Sequence, residues 1–159
     1  MKITYQPIGL IRSPFKNLAS MPIQPVSSSS RPGKIEIYPR FVEGLKDLDG
    51  FSHLILLYHL HKARSMSLIV TPFLDSVPRG IFATRAPSRP NPIGLSVVNL
   101  NRIEGSILYV EDLDVLDGTP LLDLKPYVPE FDHRPDVRLG WLEDVNERAR
   151  STTSDDRFS

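Results

Sequence analysis

Short stretches of apolar residues, separated by prolines, glycines and small polar residues, run through most of this chain. Residues 7–11 read as a first strand that stops at Ser13-Pro14. Residues 33–38, Gly-Lys-Ile-Glu-Ile-Tyr, alternate polar and apolar with period two, the pattern of a half-buried strand. Phe41, Leu45 and Leu48 fall at near-helical spacing and predict a short helix over 40–48. Residues 51–61 form a nearly continuous apolar run between Asp49-Gly50 and Lys62, which predicts a central strand buried on both faces. His53, His59 and His61 share one parity in that run and so one face. Residues 81–84, 93–101, 107–115 and 120–124 read as further strands, with Glu104-Gly105-Ser106 as a hairpin turn. Val137, Trp141, Leu142 and Val145 predict one helix over 136–149, and the polar tail 150–159 reads as disordered. Many short strands and little helix make the expected fold mainly β, an antiparallel β-barrel over residues 1–135 with a few short helices.

Composition narrows this picture. A chain of 159 residues fits one barrel domain with a real core. Fifteen prolines against nine glycines favour short strands and structured loops over long helices. The absence of cysteine excludes disulfides, thiolate metal sites and cysteine nucleophiles, and suits a cytoplasmic protein. No apolar run near the N-terminus has the form of a signal peptide, and the longest run, near 54–60, is too short to span a bilayer, so no membrane partner is expected. Net charge is zero, but residues 1–105 carry 13 Lys+Arg against 6 Asp+Glu and residues 106–159 carry 6 against 13. A basic body of this kind is compatible with an anionic partner, although no dense Lys/Arg block is present.

The densest chemical signal is residues 80–96, GIFATRAPSRPNPIGLS. Pro87, Pro90 and Pro92 stiffen an extended loop that carries Arg85, Arg89 and Asn91. Guanidinium groups held with little backbone freedom suit recognition of a phosphate or carboxylate; the alternative is a proline-rich turn with two solvated arginines. A second polar cluster follows at 113–127. Asp117-Gly118 is a turn signal, and backbone groups beside Thr119 can read a nucleoside edge. Asp123, Lys125 and Tyr127 alternate and project to one side of an extended segment. The Ser-rich residues 17–33 form a long loop expected to be mobile. His59 and His61, at i and i+2, can share a metal, with Asp123 or His53 as a third ligand, or can be a packed pair at a strand end. No G-x-G-x-x-G, P-loop or G-x-S-x-G motif is present, so a doubly wound nucleotide fold is not expected.

Four segments taken together resemble a known family: 7–15, PIGLIRSPF; 44–54, GLKDLDGFSHL; 80–96; and 117–127, DGTPLLDLKPY. The chain resembles, over residues 5–130, the S-adenosylmethionine-dependent tRNA (adenine-N6) methyltransferases built on a single-sheet β-barrel. The resemblance implies S-adenosylmethionine as cofactor, a homodimer, and a tRNA substrate. The methyl group would go to N6 of the threonylcarbamoyl-modified adenosine next to the anticodon. By position it implies cofactor contacts at Pro22-Ile23-Gln24, His61-Lys62, Arg85, Leu95 and Asp117-Gly118-Thr119-Pro120. Arg89 and Asn91 are left for the substrate.

An exocyclic amine is a poor nucleophile and needs an acceptor for its proton. Asp123 and Tyr127, held by Lys125, are the candidates for that role. Two departures stand out. Ile23 replaces an arginine common in bacterial members, and few residues follow the last matched strand where longer relatives carry a further domain. In a homodimer, residues 1–105 are expected to build a shared anionic-substrate face, with the acidic residues after 105 away from it or ordering the tail. Two other functions remain open on the residues: a metal-dependent enzyme centred on His59 and His61, and a non-catalytic nucleotide- or RNA-binding module.

Overall fold

The computed structural model describes residues 1–17, 31–73 and 75–143. Six strands close into one antiparallel barrel in the order β1 (Gly9–Arg12), β2 (Gly33–Ile37), β7 (Ile107–Glu111), β6 (Ile93–Glu104), β3 (His53–His59) and β8 (Thr119–Pro126). A separate two-stranded ribbon, β4 (Ile69–Val70) with β5 (Arg79–Gly80), lies in the excursion between β3 and β6. One helical turn, α1 (Pro129–Asp132), follows the barrel. The mainly β fold read from the sequence is the fold observed.

The interior is filled by side chains, as a barrel of this size requires. Ile11, Ile35, Leu54, Leu56, Leu108 and Leu121 are wholly buried there, with Leu48 and Leu113 plugging the barrel from the loops. β3 does not behave as read from its composition. Leu54, Leu56 and Tyr58 point inward, while His53, Ile55, Leu57 and His59 point outward and are half-buried. A closed sheet has only one inside, so a continuous apolar run must leave half its residues on the outer wall. There they meet β6 in the pairs Ile55–Val97 and Leu57–Leu95.

Other expectations are corrected. Residues 39–45 and 48–50 are 3-10 turns and not an α-helix, and 81–83 is a 3-10 turn and not a strand. β7 stops at Glu111, and Asp112 takes a positive φ of 62°, which ends the strand there. Of the helix read over 136–149, residues 136–143 hold only a 3-10 turn at Gly140–Leu142; 144–149 and the tail lie outside the described residues. That turn is docked on the excursion: Trp141 Nε1 donates to the Ala83 carbonyl at 2.8 Å, and the Arg79 guanidinium lies 5.5 Å from the indole centre.

Gly94, opposite Tyr58 on β3, is fixed by packing. A Cβ there would overlap the Tyr58 ring, which occupies the space left by the missing side chain. Gly94→Ala is therefore expected to destabilise the barrel by about 1–3 kcal/mol. Urea unfolding checks this, and a midpoint equal to that of the wild type would contradict it.

Candidate active site at the barrel rim

Antiparallel pairing brings the end of β1, the end of β3 and the starts of β6 and β8 to the same rim. Ile11 sits opposite Thr119, Tyr58 opposite both Leu121 and Gly94, and His59 opposite Ile93. The 117–120 turn of one polar segment and residues 93–96 at the end of the other thereby meet at this rim.

The turn before β8 is strapped to β1. The Ser13 amide donates to Asp117 Oδ1 at 3.0 Å, Lys16 Nζ lies 2.7 Å from Asp117 Oδ2, and the Gly118 amide donates to the Ile11 carbonyl at 2.8 Å. Gly118 has φ +76°, a left-handed conformation that favours glycine, and space is open above it. Hydrogen bonding to Lys16 holds the Asp117 carboxyl below the usual carboxylate range. Beyond β3 the chain turns, and His61 leaves the strand's outer face to bring Nδ1 within 3.3 Å of Thr119 Oγ1. Burial lowers the His61 pKa, with Lys62 and His59 adding to the effect, which favours the neutral ring.

The proline loop is pinned at several points. The Leu60 amide donates to the Pro92 carbonyl at 2.7 Å and the Ser67 amide to the Ser88 carbonyl at 3.1 Å. Arg89 turns inward: Nη1 donates to the carbonyls of Thr84 at 2.8 Å and Ile81 at 3.2 Å. Arg85 is exposed, and its charge acts on Tyr58 and Asp114. Asn91 is exposed at the loop's end, its carbonyl accepting from the Ile93 amide.

Inside the rim lies a chain of hydrogen bonds that the sequence reading missed. Tyr58 Oη lies 2.9 Å from Ser96 Oγ, and Ser96 Oγ donates to Asp114 Oδ1 at 2.6 Å. Burial raises the pKa of both end groups; Asp114 adds to the rise at Tyr58, while Arg85 and Arg31 oppose the rise at Asp114. The signal was present as an acid between apolar neighbours, Leu113-Asp114-Val115, and a serine within β6. Asp114 and Asp117 thus both belong to this rim.

The remaining sequence candidates fall on the outer wall or outside the description. Leu95, Leu57 and Asp123 form one row across β6, β3 and β8; Val97, Ile55 and Lys125 form the next. Lys125 Nζ is 2.7 Å from Asp123 Oδ2, and both side chains are about half exposed. Tyr127 lies past the end of β8, its ring centre 6.2 Å from that of His53. Lys62 is exposed next to His61, and Pro120 is half-buried at the start of β8. Pro22, Ile23 and Gln24 lie outside the described residues. His59 points outward while His61 turns to Thr119, and among the described residues no three His, Cys, Asp or Glu side chains are gathered as a metal site. Among them, too, no helix is long and apolar enough to cross a membrane.

Residues 10–133 match the family described as the tRNA-methyltransferase O N-terminal domain. The chain belongs to that family. It is 52% identical over 158 residues to a probable S-adenosyl-L-methionine-binding protein of Pyrococcus abyssi, covering 99% of this chain and 86% of that one. It is 34% identical over 149 residues to the tRNA (adenine(37)-N6)-methyltransferase of Escherichia coli, covering 87% of this chain and 63% of that enzyme. The solved structure of TrmO from Pseudomonas aeruginosa superposes with a TM-score of 0.75 at 42% identity, over 89% of this chain and 63% of that one. The chain therefore spans less than two thirds of the length of the last two relatives.

Asp117 gives this rim a measurable pH dependence. Its pKa is lower folded than unfolded, so its contribution to stability is complete above about pH 5 and is lost as the pH falls through the folded value. Lys16 is two-thirds exposed, so most of the gain is expected from the bond to the Ser13 amide. Asp117→Ala, which removes the acceptor, is expected to cost about 0.5–1.5 kcal/mol at pH 7 and progressively less in acid. Denaturation of both proteins across pH 3–7 checks this; a cost that does not shrink in acid would contradict it.

Proposed function

We propose that this protein is an S-adenosylmethionine-dependent tRNA methyltransferase. Its target is N6 of the threonylcarbamoyl-modified adenosine 3′ of the anticodon, and it works as a cytoplasmic homodimer. The observation that carries the proposal is the convergence of Arg85, His61 and the Asp117–Pro120 turn on one rim, in a chain whose family match spans that rim. The family resemblance, and not the geometry, supplies the ligand identities.

The rim fits the cofactor in chemical terms. A guanidinium at Arg85 suits an aminoacyl carboxylate, and the open backbone at Gly118 allows close approach of a flat base. A neutral His61 adds no positive charge next to a sulfonium. The bound cofactor supplies an electrophilic methyl group for in-line displacement. The protein's part is alignment and proton removal in a water-poor site. Asp123, held by Lys125, is the proposed acceptor for the N6 proton, with Tyr127 as the second candidate. Arg89, which braces the loop from inside, and Asn91 serve the substrate side. The adenosine lies in a loop and can be splayed out without opening a helix.

The outer wall favours a dimer. Ile93, Leu95 and Val97 are 41%, 45% and 36% exposed, and with Ile55 and Leu57 they form an apolar strip on the outside of the barrel. A second copy would cover the strip through an isologous contact.

Three outcomes are expected. The protein binds S-adenosylmethionine and transfers methyl groups to bulk tRNA from a strain lacking it; no binding at millimolar cofactor would overturn the reading. Arg85→Ala weakens cofactor binding by roughly 1.5–3 kcal/mol in calorimetry, as for a lost charge-assisted bond. Val97→Lys gives monomers in light scattering and loses methyl transfer, and wild-type tRNA binding weakens steeply with salt while cofactor binding does not. An active wild-type monomer would exclude the dimer.

A further inference from the structure

The guanidinium groups of Arg31 and Arg85 both act on the single carboxylate of Asp114. That carboxylate already accepts from Ser96 at 2.6 Å, and Ser96 is in turn bonded to Tyr58. One negative charge balances one guanidinium, so the rim keeps a positive surplus. The surplus has an address. Arg31 Nη1 is buried and, among the described residues, has no hydrogen-bond acceptor. The Arg31 backbone is held by the Leu113 amide, which donates to its carbonyl at 3.3 Å, and its guanidinium carbon lies 5.7 Å from the Phe15 ring centre. A charged donor buried without an acceptor is costly unless a bound anion completes it.

We propose that Arg31 binds a carboxylate of the bound ligand at this rim. This rests on the reading above, that cofactor and modified adenosine meet there. Both ligands carry a carboxylate: the aminoacyl group of S-adenosylmethionine and the threonyl group of the modified base. The chemistry Arg31 recognises is the same in each, a planar anion that the guanidinium fork can grip with two bonds.

The test uses the full chain and two variants. Arg31→Met keeps the apolar stem over Phe15 and removes the charge; Arg31→Lys keeps the charge and removes the fork. Calorimetry compares S-adenosylhomocysteine, which has the carboxylate, with 5′-methylthioadenosine, which lacks the amino-acid group. Fluorescence anisotropy compares anticodon stem-loops with and without the threonylcarbamoyl group. If Arg31 holds the cofactor carboxylate, Arg31→Met weakens S-adenosylhomocysteine binding about tenfold or more and leaves 5′-methylthioadenosine unchanged, with Arg31→Lys between. If it holds the base carboxylate, both nucleosides bind as to wild type and only the modified stem-loop loses affinity. Equal effects on each member of both pairs, or no effect, overturn the proposal. Wild-type protein that binds neither nucleoside overturns the functional reading and this proposal with it. Should Arg31→Met fail to fold, Arg31→Lys decides by the same comparisons.

Discussion

Pairing of β1 with β8, with Gly9 against Leu121 and Ile11 against Thr119, closes the sheet on itself, and the positions of the polar groups follow from that seam. Without it the Asp117-Gly118 turn would hang at a free edge. With it, the turn is tied to the end of β1 through Ser13, Lys16 and the Ile11 carbonyl. Closure also sets the sense of every other strand, because each neighbour is antiparallel. The exits of β1 and β3 and the entrances of β6 and β8 must then share a rim. Residues from 11, 61, 94–96 and 117–120 become neighbours by that one constraint.

Alternation across the wall does the second part of the work. Along the inward face the residues are apolar until the last layer, where Tyr58, Ser96 and Thr119 replace them. These three groups are buried, so each has to find a partner: Tyr58 and Ser96 bond to one another, Ser96 also donates to Asp114, and Thr119 meets His61. The polar rim is thus continuous with the core and inherits its rigidity. Along the outward face the same strands carry Leu57, Leu95 and Val97, a strip that an isolated barrel leaves partly in water.

Charge follows the same geometry. The basic first part and the acidic last part of the sequence are not two faces. Residues from both interleave at the rim, where the charges of Arg31 and Arg85 both act on Asp114 and Asp117 pairs with Lys16. The proline loop contributes one arginine to this field and uses the other to brace itself, since Arg89 is bonded to its own loop's carbonyls. Two arginines four residues apart therefore have different tasks, a division that spacing alone does not reveal.

The mainly β class, most of the strands, the hairpin at Gly105 and the two polar segments were legible in the sequence, because period-two alternation, turn residues and prolines act locally. The family was legible for the same reason: its motifs are short contiguous stretches such as RPNPIGLS and DGTPLLDLKPY. Tertiary structure decided what depends on closure. It moved half of the apolar β3 run to the outer wall, because a barrel has one interior. It turned His61 away from His59, because the strand ends at the rim and parity ends with it. It joined Tyr58, Ser96 and Asp114, far apart in sequence, into one buried hydrogen-bond chain. Among the described residues it left Arg31 Nη1 without an acceptor. None of these contacts is local, so no pattern of neighbouring residues encodes them.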